Sequence, residues 1–213
     1  MLDFIVKLVL AYLLGSVLGS LIIGRLKGGV DIRHQGSGNA GGTNALRTQG
    51  WKFALWVMVI DIGKGWLAAG LLPTLQFPWS GTQVEPSWLK VACAMAVVVG
   101  HVYPLWFGFR GGKGAATLVG VLIGLAPSAL PYVLGLWLVV LLLTGYVGLS
   151  TLLATAGFNV WVLLQAVAER EALLAFSVAM TLFVIYTHRS NIARMRQGTE
   201  NRAQRIWLFK KRV

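Results

Sequence analysis

The chain has 213 residues, of which 56% are hydrophobic and 12% charged, with a mean hydropathy of +0.70 and a formal net charge of +12. Soluble domains carry about a quarter charged residues, so these figures exclude a water-soluble globule, and nine Trp and nine Phe exclude a disordered chain. The single cysteine, Cys93, excludes a disulfide framework and any thiolate metal cluster. What remains is an all-α polytopic membrane protein, with residues 1–213 forming one integral membrane domain and no room for a second, soluble one.

A membrane span needs roughly 20 mostly apolar residues. Phe4–Leu26 fits, with Lys7 at the interface, and is expected to be a retained helix rather than a cleaved signal, since continuing apolar sequence follows Gly19-Ser20. Trp51–Leu72 fits with Asp61 and Lys64 inside it, and Leu89–Phe109 fits despite Gly100, His101 and Pro104. From Ala115 to Thr187 the sequence is almost continuously apolar. Breaks at Ala126-Pro127-Ser128, Thr144–Ser150 and Glu169-Arg170-Glu171 divide it into helices near 115–126, 128–145, 149–168 and 172–187. The expectation is about seven transmembrane helices, the fourth of them short.

Basic residues set the orientation. With the N-terminus outside, segments 25–52, 110–113 and 188–213 are cytoplasmic and hold 15 of the 19 Lys and Arg. Lys7, Lys90 and Arg170 fall outside, and Lys64 lies within a helix. The C-terminus is then cytoplasmic, and the positive charge reflects topology and attraction to anionic headgroups rather than nucleic-acid binding.

Three polar stretches land on that cytoplasmic face and are expected to share one site. The first is Gly36–Arg47. Its Gly36-x-Gly38-x-x-Gly41 spacing fails as a dinucleotide fingerprint, because a membrane helix precedes it where a strand is required. Glycines such as Gly36 and Gly38 let backbone amides approach an oxyanion, while Ser37, Asn39, Thr43 and Asn44 add neutral donors. Arg47 adds a charged fork suited to phosphate. The second stretch, Gly100–Thr117, contains Gly111-Gly112-Lys113-Gly114 but lacks the leading Gly and the metal-binding Ser/Thr of a P-loop. Amides near Gly111, Gly112 and Gly114, just ahead of a helix starting at Ala115, are expected to cradle a phosphate with Lys113 as countercharge. His101 reads either as a site imidazole or as a buried one hydrogen-bonded to backbone. The third stretch, His188–Arg194, sets His188 and Asn191 three residues apart at a membrane exit. Asp61 and Lys64 share the i,i+3 relation inside a span, where each alone costs roughly 2.5–3.5 kcal/mol, so mutual pairing explains both.

These stretches, in this order, resemble the three signatures of the bacterial acyl-phosphate-dependent glycerol-3-phosphate acyltransferases, the PlsY family, over nearly the whole chain. Ser37, Asn39, Thr43, Asn44 and Arg47 align with the first signature; His101, Pro104, Gly111, Gly112, Lys113, Gly114 and Thr117 with the second. His188, Arg189, Asn191, Ile192, Arg194, Gly198 and Glu200 align with the third, and Asp61 and Lys64 match a further family feature. Gly42, Gly148 and Met195 depart from the usual Ala, Ser and Leu. The resemblance implies a multi-pass enzyme of the bacterial inner membrane with its site on the cytoplasmic face. It implies transfer of a fatty acyl group from acyl phosphate to the 1-position of glycerol 3-phosphate, giving lysophosphatidic acid and phosphate without a cofactor or metal. Ser37, Arg47, Lys113, His188 and Asn191 are then the expected catalytic residues. Substrate-binding roles go to Gly36, Gly38, Asn39, Thr43, Asn44, His101, Gly111, Gly112, Gly114 and Thr117, and supporting roles to Asp61, Lys64, Arg194 and Glu200. Implied partners are acyl phosphate, glycerol 3-phosphate, membrane lipids and the enzyme that supplies acyl phosphate.

The chemistry agrees. An acyl phosphate carries a good leaving group, so the site must hold two phosphates, place a hydroxyl about 3 Å from the acyl carbon and stabilise the oxyanion. The His-x4-Asp pair of thioester-dependent acyltransferases is absent, since Asn39, Trp106 and Ala193 stand five positions after His34, His101 and His188. Either the departing phosphate takes the proton while His188 and Asn191 orient the acceptor, or His188 is the general base. The alternative, a transporter or channel for phosphorylated metabolites, would be expected to show matching interrupted helices in two halves, and the sequence shows none.

Overall fold

The computed structural model describes residues 1–78, 84–165, 169–204 and 206–209, all of whose regular structure is helical. Arg205, Lys210, Lys211 and Arg212, part of the C-terminal basic group, lie outside the described residues. The chain divides into two compact units, Met1–Pro127 and Ser128–Val213.

The first unit holds α1 (Leu2–Gly15), α2 (Gly19–Leu26), α3 (Gly42–Gln49), α4 (Trp51–Trp66), α5 (Pro86–Val102) and α6 (Ala115–Leu125). The second holds α7 (Leu130–Thr144), α8 (Val147–Leu164), α9 (Arg170–Thr187) and α10 (Arg189–Arg196). Among the described residues, five stretches are long and apolar enough to cross a membrane: Trp51–Thr74, Pro86–Phe107, Pro127–Thr144, Val147–Leu164 and Arg170–Thr187. The expected first span is not one straight helix, because α1 and α2 meet at a 48° bend, and the pair together would make a sixth. Helix α6, with 11 residues, is too short to span by itself. Among the described residues each of the seven expected segments contains helix, the fourth of them short, but only five, or six with the bent pair, are long enough to span. Residues 166–168 of the expected 149–168 helix lie outside the described residues.

Glycine replaces hydrophobicity as the packing device between helices surrounded by lipid. A Cβ on Gly15 would run into the backbone of Val97 in α5, and one on Gly100 into the carbonyl of Tyr12, so α1 and α5 cross in backbone contact. Helices α4 and α6 do the same through Gly65 and Gly120, and Gly124 of α6 meets the backbone of Ala69 and Gly70 just beyond α4. Gly70 also faces Gly124, its would-be Cβ only 3.3 Å from that Cα. Gly65 and Gly70 are five residues apart, a spacing that leaves the contact face of a regular α-helix. The π-type turn Leu67–Leu71 brings Gly70 back onto it.

Two apolar clusters anchor the polar loops of the first unit. Ile32, Ala45, Phe53, Ala54 and Val57 pack α3 and the 30–32 segment onto α4. Leu18, Leu21 and Ala40, joined by Phe107, fasten the Gly36–Gly41 loop to the start of α2. In the second unit, the segment after α10 runs back over the end of α7: the Ala203 amide donates to the Gly145 carbonyl at 2.8 Å and that of Leu208 to Leu142 at 3.0 Å. Arg202 stacks over Tyr146 and Trp207 at 4.6 and 4.0 Å from their ring centres.

Candidate active site

The loop ahead of α3 is built around Asn44. Its Nδ2 donates to the carbonyls of Ile32, Gln35 and Asn39 at 2.9, 3.0 and 3.0 Å, and its Oδ1 accepts the Ser37 amide at 2.9 Å. With 1% of its surface exposed and its amide committed to the loop, Asn44, expected at the substrate, holds the loop backbone. Gly36 and Gly38 sit at φ +57° and +71°, the left-handed region that lets the chain curl tightly round that side chain. The loop thereby presents Ser37 at the surface, with Asn39 half-buried. Thr43 and Arg47, four residues apart on α3, share its exposed face.

Arg33 joins this loop to the one between α5 and α6. Its Nη1 donates to the carbonyls of Phe107 and Arg110 at 2.9 and 3.0 Å. Its other edge grips Asp31, with Nη2–Oδ2 at 2.7 Å and Nε 3.1 Å from both carboxylate oxygens. Those hydrogen bonds hold the Asp31 carboxyl below its ordinary pKa. The clamped segment includes Phe109 at φ +58°, a left-handed conformation that costs a bulky residue on the order of 1–3 kcal/mol and persists only where its surroundings enforce it. Arg33 was absent from the expected site. Its signal was Asp31-x-Arg33, a short-range acid–base pair directly ahead of the glycine-rich stretch.

Downstream of the clamp, Gly111 and Gly112 depart from the expected cradle. Their amides donate at 3.1 Å to the carbonyls of Val102 and His101, closing a backbone ladder onto the end of α5. The approach is so close that a Cβ on Gly112 would strike His101 Nε2. Gly114, at φ +88°, turns the chain into α6, whose first turn carries backbone amides without intrahelical acceptors. Lys113, half-buried, precedes that turn. Thr117, expected at the substrate, is fully buried, and its Oγ1 finds no hydrogen-bond partner among the described residues.

His101 belongs to a buried polar cluster rather than to an open site. Its Nδ1 lies 2.9 Å from Lys64 Nζ and 3.5 Å from Asp61 Oδ1. A lysine ammonium can only donate, so Nδ1 accepts and the neutral ring carries its proton on Nε2. Lys64 also donates to the carbonyls of Gly15 and Val17 at 3.0 and 2.7 Å, and Asp61 Oδ1 accepts the Gly19 amide at 3.3 Å.

The third stretch lies in the second unit. His188 is the hinge between α9 and α10, is 4% exposed, and has Nδ1 2.9 Å from the Val184 carbonyl. A carbonyl can only accept, so Nδ1 carries the proton and the lone pair of the neutral ring is on Nε2. Asn191 Nδ2 donates to Glu200 Oε1 at 2.7 Å, and Arg194 Nε pairs with Glu200 Oε2 at 2.6 Å. Glu200 thus fixes two neighbours of the motif at once. Gly148 lets α8 approach, a Cβ there lying 3.1 Å from the Asn191 side chain.

Comparison with known proteins follows this layout. The glycerol-3-phosphate acyltransferase profile matches residues 5–198. The chain belongs to the glycerol-3-phosphate acyltransferase family. It is 38% identical to the glycerol-3-phosphate acyltransferases of Chlorobaculum tepidum and Chlorobaculum parvum, covering 95% of this chain and 97% of each relative. It also superposes on two crystal structures of PlsY (YgiH), an integral membrane glycerol 3-phosphate acyltransferase, in its glycerol 3-phosphate and lysophosphatidic acid forms. The TM-score is 0.80 at 34% identity for both, over 93% of this chain and 94% of theirs. As a member of this family the chain is a multi-pass membrane acyltransferase, with helices of the length and polarity described above.

Proposed function

We propose that this protein transfers a fatty acyl group from acyl phosphate to the 1-hydroxyl of glycerol 3-phosphate, forming lysophosphatidic acid and phosphate at the start of phospholipid synthesis. The observation that carries the reading is the Arg33 clamp, which ties the segment leading into the Ser37 loop and α3, with Thr43 and Arg47, to the loop leading to Lys113. It supports a pairing of two cationic positions, Arg47 and Lys113, with the N-terminal turn of α6 inside one unit, as recognition of phosphate requires.

In this mechanism Arg47 and Lys113 take the substrate phosphates, and Ser37 donates to the acyl phosphate. His188 Nε2 accepts the glycerol hydroxyl proton as the hydroxyl oxygen attacks the acyl carbon. The carbonyl–phosphate bond then breaks and inorganic phosphate leaves with its electron pair. Asn191, fixed by Glu200, orients the acceptor. The buried Asp61–Lys64–His101 cluster supports the scaffold, and residues 1–213 make one acyltransferase domain. The site faces the cytoplasm of a bacterial inner membrane, with the N-terminus outside. A cysteine at Gln76 should then react with an impermeant reagent added outside, and one at Gln35 should not.

Purified protein in detergent, given palmitoyl phosphate and glycerol 3-phosphate, should form lysophosphatidic acid, and palmitoyl-coenzyme A should not replace the donor. Turnover with the thioester and none with acyl phosphate would overturn the donor assignment.

A further inference from the structure

A groove of about 540 Å³ opens between the end of α2 and the junction of α3 and α4, and its lining residues include none of the catalytic or substrate-binding residues named above. Ile23, Leu26, Phe53 and Trp56 line its apolar part, and Lys27 and Lys52 stand among its lining residues, which include no carboxylate. Both ammonium groups are held near aromatic rings, Lys27 Nζ 5.6 Å from the centre of Phe53 and Lys52 Nζ 5.7 Å from that of Trp51. Lys27 Nζ also donates to Gln49 Oε1 at 3.2 Å, and Gln49 Nε2 donates to Gln35 Oε1 at 2.7 Å.

The groove's height in the bilayer follows from the sequence of helix ends. Trp51 and Lys52 begin the span Trp51–Thr74, and Leu26 ends the bent pair α1–α2. Tryptophan and lysine at a span end sit at headgroup level. Leu26 and Trp56 remain 80% and 57% exposed, an apolar surface that runs from the lysines toward the hydrocarbon. Two cations at headgroup depth above an apolar groove, with no acid among the described lining residues, are complementary to an anionic head on two acyl chains. We propose that this groove is a binding site for an anionic diacyl phospholipid of the surrounding leaflet, with the headgroup phosphate between Lys27 and Lys52 and a chain along Leu26 and Trp56.

The test is native mass spectrometry of the full-length protein in neutral detergent, titrated with dioleoylphosphatidylglycerol or dioleoylphosphatidylcholine. The parent should retain the anionic lipid at least tenfold more tightly than the zwitterionic one. Lys27→Gln/Lys52→Gln should lose about tenfold or more of that preference, while Lys27→Arg/Lys52→Arg and the charge-matched Arg110→Gln/Arg196→Gln should keep it. All four lysine substitutions are at exposed positions, and an unchanged melting temperature shows that folding is not the variable. Equal retention by the Gln pair and the parent, or equal loss in the Arg110/Arg196 control, would overturn the site. So would displacement of the diacyl lipid by an equal concentration of palmitoyl phosphate, which would assign the groove to a single-chain amphiphile.

Discussion

Asp61 and Lys64, one turn apart on α4 and paired at 2.9 Å, each face an end of the broken first helix whose backbone groups they satisfy. Lys64 donates to the Gly15 and Val17 carbonyls where α1 stops, and Asp61 accepts the Gly19 amide where α2 starts. The positive charge is thus at a helix C-terminus and the negative one at an N-terminus, the arrangement that opposes both helix dipoles. The pair is therefore a staple for a 48° bend as well as a neutralised charge couple within a span.

Removing one partner leaves the other charge buried, which costs roughly 3–5 kcal/mol. Lys64→Met and Asp61→Asn are each expected to lower the thermal midpoint in detergent sharply. The double variant should recover part of the loss, because no isolated charge remains. Midpoint shifts that simply add in the double variant would show that the two residues act independently.

The Arg33 clamp predicts a different signature. Arg33→Ala should keep α1–α6 folded but free the Phe107–Arg110 carbonyls, raising KM and lowering kcat together, with kcat/KM down about tenfold or more. Arg33→Lys restores charge but not the two-edged fork, so it should rescue little. Because Asp31 titrates below its ordinary value of 3.8, the pair's contribution is complete above that pH and is lost only as pH falls through the lower folded value. Partly exposed, the pair is worth about 1 kcal/mol or less. A clamp-dependent loss of activity between pH 5 and 8 would contradict this.

Helix positions were legible because long apolar runs have few other structures open to them in a membrane. The break at Ser16–Leu18 was not, since it depends on Lys64 from another helix as much as on local sequence. The same limit explains the site. Ser37 and Asn44 are equally polar in a glycine-rich stretch, and only the backbone path turns one outward and the other onto three carbonyls. Gly111 and Gly112 invite a phosphate reading by composition, yet their amides close a ladder onto α5. The reach of Arg33 is hidden from the sequence because its carbonyl acceptors lie more than 70 residues away, which no spacing reveals.

Asn44 offers a direct test of that scaffold role. Asn44→Asp replaces an amide whose two N–H groups are shared among three carbonyls with a carboxylate facing them, and Asn44→Ala leaves those carbonyls and the Ser37 amide without their partner. Unsatisfied buried groups cost about 1–3 kcal/mol each. Both variants should melt earlier than the parent, Asn44→Asp the earlier of the two. A purely substrate-binding role would leave the melting temperature unchanged and raise only KM.

Lys113→Ala should abolish most turnover while leaving the melting temperature within a few degrees of the parent, as expected for a charge that neutralises phosphate. Lys113→Arg should recover part of the activity by restoring charge in a different shape. Activity of Lys113→Ala within a few-fold of the parent would remove it from the mechanism.

His188 separates proton transfer from orientation. In the proposed mechanism the neutral ring, with Nδ1–H directed at the Val184 carbonyl, meets the substrate hydroxyl as an acceptor and not as a donor. A general base must be unprotonated, and activity should fall as pH drops through the imidazole titration. His188→Asn can keep a donor toward Val184 but carries no titrating nitrogen. It should therefore match His188→Ala in lost turnover, with the acid limb of the pH profile gone from whatever activity remains. Substantial turnover by His188→Asn, with a profile set only by the substrate phosphates, would instead make the departing phosphate the base and reduce His188 to a positioning residue.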